Sequence, residues 1–303
     1  MEAIRQKIQI PESVKQFPDT IKQFPEQLRP KSPKALDKGA ESIPASLEPT
    51  TVSPLLGTPT YGEDGAVLTI ACATTIAAKP IDVLAAVINP ETYPKWNAFV
   101  PRAKVTRATT SALPPLLAQS SVSKTAPGEL LLEGTHVSFE VHMTLDPAKT
   151  TTKQSIVVTK VEEITRATAS AAGDSHRGRK GYRVSWKAGG FVPPFVLKSE
   201  RVQEFLESED GNATEYRSWE TFYGPFAQVL RYTMVGQLEA GFGAWMNGLK
   251  NFAEGKPIEA QAPVAPAAPA APAAPADAAA PATAPAATPT PAPAAAPTAA
   301  AAS

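Results

Sequence analysis

Apolar and polar residues alternate along most of the middle of the chain, a pattern typical of β-strands with one buried face. Segments rich in Gly, Pro, Asp and Asn separate the alternating stretches and are typical of turns. The pattern predicts seven strands, at Val67–Ile76, Val100–Arg107, Leu131–Leu145, Gln154–Ile164, Gly181–Ala188, Leu197–Leu206 and Thr214–Phe222.

Three-residue and four-residue spacing of apolar positions predicts helices at two places. Pro80 suits the first turn of a short helix that ends near Asn89, and a second short helix or turn follows within Asn89–Pro101. A much longer apolar stripe runs through residues 225–253 and predicts one long C-terminal helix. It contains several glycines, each of which weakens a helix by up to about 1 kcal/mol, so their small size must serve close packing or make room for a ligand.

One packing accommodates this order of elements. A single antiparallel sheet must curl around one long amphipathic helix, because each has one apolar face to bury. We therefore expect an α+β, helix-grip fold: a seven-stranded curved antiparallel sheet around a long C-terminal helix, with two short helices after strand 1.

Composition divides the 303 residues into three parts. Residues 1–65 are rich in proline and charge and are expected to be mostly disordered, and residues 255–303 are almost only Ala and Pro and are expected to form a disordered tail. Residues 66–254 form the predicted domain. A KQFP motif occurs at Lys15–Pro18 and again at Lys22–Pro25, where docking onto a partner protein or a membrane is the alternative to disorder.

Charge and cysteine content exclude several classes of protein. Lys and Arg number 29 and Asp and Glu also 29, so no basic surface for nucleic acid is expected. The single cysteine, Cys72, rules out an intrachain disulfide and is expected to be a small buried hydrophobic residue. No transmembrane segment or signal peptide is predicted, so the expected location is cytoplasmic, with peripheral membrane contact as an alternative.

Particular residues then resemble a known superfamily. The motifs are Tyr93–Val100 (YPKWNAFV), Tyr182–Trp186 (YRVSW), Ser199–Arg201 and the alternating strand Thr214–Gly224 that leads into the long helix. They resemble the START-like superfamily (the Bet v 1 or SRPBCC helix-grip fold), and within it the polyketide cyclase/dehydrase and lipid-transport branch. Ala98 departs from the usual proline, and Ser218 stands where many relatives carry a histidine or a similar polar group.

The resemblance implies an internal cavity between sheet and helix that holds an apolar or aromatic small molecule. On this basis the ligand-binding candidates are Tyr93, Trp96, Phe99, Phe139, Val141, Tyr182, Trp186, Tyr216, Phe222, Met234, Leu238 and Phe242. Each of them could instead belong to the core.

Glu220 is the one candidate for catalysis. It alternates with Tyr216 and Phe222, and a carboxyl group among aromatic rings has a raised pKa and can act as a general acid or base. The alternative is a structural ion pair between Glu220 and either Arg201 or another basic residue on a strand. His136 and His142 are about 20 Å apart on one strand and cannot share a metal, and His176 lies in a polar loop. No metal site and no cofactor are expected.

Three functions remain open at this stage. The first is non-catalytic binding or transfer of a hydrophobic small molecule, lipid-like or polyketide-like. The second is a metal-independent cyclase or dehydratase that uses Glu220. The third is an interaction module without a physiological ligand, whose tails bind a protein partner.

Overall fold

The computed structural model describes residues 32–36, 40–109, 112–146, 148–149, 151–165, 180–190 and 192–257. The KQFP repeat, His176 and nearly all of the Ala/Pro-rich tail lie outside the described residues. The fold discussed below is that of the described part.

The described strands form one sheet of nine rather than the seven predicted. Its order is β1-β2-β3-β9-β8-β7-β6-β5-β4, and every neighbouring pair is antiparallel except β1 and β2. The strands are β1 Lys34–Ala35, β2 Leu47–Ser53, β3 Ala66–Ile76, β4 Arg102–Arg107, β5 His136–Val141, β6 Thr152–Ile164, β7 Gly181–Ala188, β8 Lys198–Glu207 and β9 Thr214–Tyr223.

The two additional strands come from the N-terminal segment that composition had marked as mostly disordered. Strand β2 pairs with β3, with Thr51 opposite Ile70. Val52 and Leu56 from this segment pack against Val202 and Trp219 on the outer face of the sheet. The sequence prediction missed this strand because its few apolar residues are buried in a cluster whose other members include residues of β8 and β9. The strand alone therefore carries little signal.

Four helices lie in the described chain: α1 Pro80–Ile88, α2 Tyr93–Trp96, α3 Phe226–Thr233 and α4 Val235–Ala253. The two short helices follow the first strand of the predicted domain, as expected. The predicted single C-terminal helix is wrong in one respect, because it breaks at Met234 (φ −129°, ψ −3°). The Thr233 hydroxyl donates to the Val229 carbonyl at 2.8 Å, a contact that bends helices.

Helix α4 crosses the inner face of the sheet. Two of its glycines contact Trp96 and Phe99 in residues 89–101, the segment after α1 that we call the aromatic turn. A Cβ on Gly248 would lie 2.0 Å from the Trp96 carbonyl oxygen, and one on Gly241 would lie 2.4 Å from the Phe99 ring. These glycines therefore serve close packing between the helix and the turn, which is the first of the two explanations that the sequence left open.

We predict that Gly248→Ala lowers the free energy of unfolding by about 2 kcal/mol, because its methyl group meets backbone and either the helix or the turn must move. Gly236→Ala is the matched control on the same helix, since a Cβ there meets nothing within 4 Å. The control should raise stability by up to about 1 kcal/mol. Urea unfolding measures both changes, and equal effects of the two substitutions would contradict this account of the packing.

Candidate functional site

A cavity of about 70 Å³ lies between α4 and the inner face of the sheet. Strands β5 to β9 supply most of its lining, and α4 covers it. Of the predicted ligand-binding residues, seven line it: Phe99, Phe139, Val141, Trp186, Phe222, Leu238 and Phe242. Glu220, the candidate for catalysis, lines it as well.

The other predicted ligand-binding residues lie elsewhere. Tyr93, Trp96 and Tyr216 are buried in the core, and Met234 is partly buried at the helix break. Tyr182 borders a separate open depression of about 350 Å³ beside Lys79 and Lys180. Tyr182 and Tyr216 share a face of their strands with Trp186 and Phe222, but their position along that face places them outside the cavity.

Much of the space beneath α4 is filled by aromatic rings. The Trp245 ring lies 5.2 Å from Trp96, 5.5 Å from Tyr93 and 5.7 Å from Trp186 between centroids, and Trp186 lies 5.7 Å from Phe139. Edge-to-face packing at these distances is favourable. The aromatic turn thus chiefly fills the interior of the domain, and the cavity between sheet and helix that the resemblance implied is present among the described residues but is small.

The volume limits what the cavity can hold. It is about half of the roughly 150 Å³ of an engineered apolar cavity that binds benzene. A ring-sized ligand therefore needs the lining to move. Met143 and Leu238 are only partly buried, Gln154 is exposed, and all three line the cavity. Met143 adapts readily, because its side chain is unbranched and flexible.

Glu220 lies in this lining with one hydrogen bond from the protein. The Ser199 hydroxyl donates to Glu220 Oε1 at 2.7 Å. Burial raises the pKa of Glu220, while the nearby Arg201 and the bond from Ser199 act in the opposite direction. The carboxyl group thus favours its protonated form more than an exposed glutamate does, as the sequence pattern predicted.

Arg201 also lines the cavity. The sequence predicted it only as a possible ion-pair partner of Glu220 and not as a ligand-binding residue. The two stand directly opposite each other on β8 and β9. Among the described residues, however, the Arg201 guanidinium has no carboxylate oxygen within 4.0 Å. It stacks on α4 instead, with its central carbon 3.9 Å from the Phe242 ring centroid and 4.7 Å from that of Trp245. The structural ion pair considered from the sequence is therefore not formed.

Trp245 was also missed as a site residue. It lies three residues after Phe242 and seven after Leu238, a spacing that places all three on one face of α4. This spacing could have identified Trp245 from the sequence. For Arg201 the signal was alternation along β8, which places it on the same face as Ser199 and Gln203. Alternation gave the face of the sheet, but it could not show that the guanidinium would have no acid to pair with.

Cys72 carries no reactive thiol. It is fully buried on β3, and burial raises the pKa of its thiol to about 12. The predicted role as a small buried hydrophobic residue is confirmed.

Neither a metal site nor a membrane span is found in the described part of the chain. Its His, Cys, Asp and Glu side chains form no group of three or more that could hold a metal ion. No described helix combines the length and the hydropathy needed to cross a bilayer.

Comparison with known proteins gives one relative in sequence and several in structure. No family model matches the chain. The "oxopyrrolidines biosynthesis cluster protein O" of Penicillium oxalicum is 29% identical over 212 residues, covering 67% of this chain and 95% of that protein.

Two solved structures illustrate the structural similarity. CalU16 from Micromonospora echinospora is 16% identical and covers 70% of this chain and 87% of its own, with a TM-score of 0.37. A START superfamily protein from Mycobacterium smegmatis is 10% identical and covers 60% and 98%, with a TM-score of 0.34. Because these scores are low, the fold assignment rests on the strand order and helix contacts of this chain. It has a helix-grip fold.

We predict that Glu220→Gln changes how stability depends on pH. The folded pKa of Glu220 is raised above its ordinary value of 4.5. The wild type therefore keeps the full stability of the protonated form below about pH 4.5 and loses part of it as pH rises through the raised pKa. A glutamine side chain cannot ionise, so the variant should lack this loss.

Urea unfolding at about pH 4 and about pH 7 tests this prediction. The stability of the variant relative to wild type should increase between the two values. Glu140→Gln, on the outer face of β5, is the control and should show no comparable change. A stability difference between Glu220→Gln and wild type that does not vary with pH would show that Glu220 titrates normally.

Proposed function

We propose that the domain binds a hydrophobic small molecule, one to two rings in size, in the cavity between α4 and the sheet. The observation that carries the proposal is the lining of the cavity. It is largely aromatic and aliphatic and contains few polar groups, with Arg201 and Glu220 facing each other across neighbouring strands. Ligand sites in proteins typically combine an apolar wall with a few converging polar groups.

The size of the ligand follows from the volume. Drug-sized ligands occupy roughly 300 Å³ or more, so a cavity of about 70 Å³ supports a compact metabolite and not a whole lipid. The Penicillium oxalicum relative, named for a biosynthesis cluster, supports the same choice. Small cyclic molecules of secondary metabolism require less movement of the lining than a lipid would, and lipid transfer is the less favoured form of the proposal.

Filling the cavity tests the proposal directly. Ala188 lines it, whereas the neighbouring Lys187 points to the other face of β7. We predict that wild type purified from its own host retains a small molecule in native mass spectrometry and that Ala188→Leu loses it. The matched control Lys187→Leu should retain it. A molecule that persists equally in both variants binds elsewhere and contradicts the proposal.

Acid–base catalysis by Glu220 is the second candidate. The specific observation is a carboxyl group in the cavity lining whose pKa burial raises and whose position Ser199 fixes. Such a group could protonate or deprotonate a bound carbonyl compound, as a cyclase or dehydratase of polyketide-like substrates requires.

Under this candidate, Glu220→Gln should lower the turnover of a polyketide-like substrate by about 100-fold or more, since general acid–base catalysis contributes that much. Ligand affinity should change far less, because glutamine has nearly the same shape. Steady-state kinetics and calorimetry separate the two effects, and Glu140→Gln is again the control. Undiminished turnover in Glu220→Gln would exclude Glu220 as the catalytic group.

A further inference from the structure

The guanidinium of Arg201 is buried and largely without hydrogen-bond acceptors. The residue is 4% exposed. Its Nε–H donates to Ser218 Oγ at 3.1 Å, and the Tyr216 hydroxyl is a second, weaker partner of the side chain. Its Nη2 is buried with no partner. Arginine carries five N–H donors in a planar fork, so most of them have no protein acceptor here.

This arrangement costs stability unless something else balances the charge. An uncompensated ion in a protein interior is strongly disfavoured, and buried charges are normally paired. Stacking on Phe242 and Trp245 offsets part of that cost, since a cation–π contact is strengthened when water is excluded. It leaves the hydrogen-bonding edge of the guanidinium unused.

Charged side chains on the outer face of the same sheet, by contrast, have hydrogen-bond partners within the chain. Arg183 donates to Glu204 at 2.8 Å and to Glu162 at 2.9 Å. Glu200, which is fully buried, accepts from the Thr60 backbone N–H at 2.7 Å and from the Thr159 hydroxyl at 2.6 Å. Arg183 thus has carboxylate partners and Glu200 has several hydrogen-bond donors within the chain, whereas Arg201, inside the cavity, has no carboxylate partner among the described residues.

We infer that Arg201 is the recognition group for a carboxylate on the ligand, so that the domain selects hydrophobic acids over neutral molecules of the same shape. The inference rests on the proposed function and assigns the chemical class of its ligand. The free edge of the guanidinium fork matches the two oxygens of a carboxylate, and the stacked rings of Phe242 and Trp245 hold the fork in place. Glu220 does not pair with the guanidinium in this structure, because its carboxyl group accepts from the Ser199 hydroxyl and, in the described chain, no carboxylate oxygen lies within 4.0 Å of the Arg201 nitrogens.

Benzoate and benzamide test the inference, because they share a ring and a shape and differ in charge. We predict that wild type at about pH 7 binds benzoate at least 10-fold more tightly than benzamide, measured by calorimetry or ligand-observed NMR. Arg201→Met should reduce this ratio to about 1, because benzoate loses the positive charge that balances its carboxylate. Arg201→Lys should keep part of the preference, since it retains the charge but not the fork.

Arg102→Met is the matched control. It removes one positive charge from an exposed side chain on β4 and should keep the wild-type ratio. Equal affinities of wild type for the two probes overturn the carboxylate assignment while leaving the proposed function standing, and so does a preference that survives in Arg201→Met. If wild type binds neither probe, the proposed function fails as well. The wild-type ratio decides the question even if Arg201→Met does not fold.

Discussion

The close contact between α4 and the aromatic turn is the constraint on which the interior of this domain depends. Two glycines allow the helix to lie against Trp96 and Phe99 at distances that any other residue would prevent. This contact brings Trp245 into the group formed by Tyr93, Trp96 and Trp186. A helix held further from the turn would leave a larger hollow above the sheet, and here most of that hollow is occupied.

What remains open lies towards the N-terminal half of α4, next to the break at Met234. The two ends of the C-terminal helical region therefore differ in physical character. From Gly241 to Gly248 the helix is fixed by contacts with backbone and rings, whereas Leu238 is partly buried and covers the cavity.

The sequence was sufficient for most of the domain fold because most of its elements have a local signal. Alternation identified the strands from β3 to β9, Pro80 marked the start of α1, and the glycines of the C-terminal stripe indicated either close packing or room for a ligand. Strand β2 had no such signal, since Val52 and Leu56 gain their partners only from Val202 and Trp219 on other strands. The helix break was missed for a related reason, because the apolar stripe continues through Met234 while the backbone does not.

The site was harder to predict than the fold. Alternation along a strand shows which face of the sheet a side chain lies on, but it does not show what that side chain contacts there. It correctly directed Glu220 and Phe222 towards the interior, but it gave the same answer for Tyr216, whose hydroxyl donates to Gln203 inside the core at 2.7 Å. The unpaired state of Arg201 depends on the position of Glu220, which accepts from Ser199, and on two rings of α4 more than forty residues away. A sequence places such an arginine opposite an acid and so favours an ion pair. Only the packed structure shows that the acid is held by a hydroxyl and that the base is held by aromatic faces, which leaves the base available to a ligand.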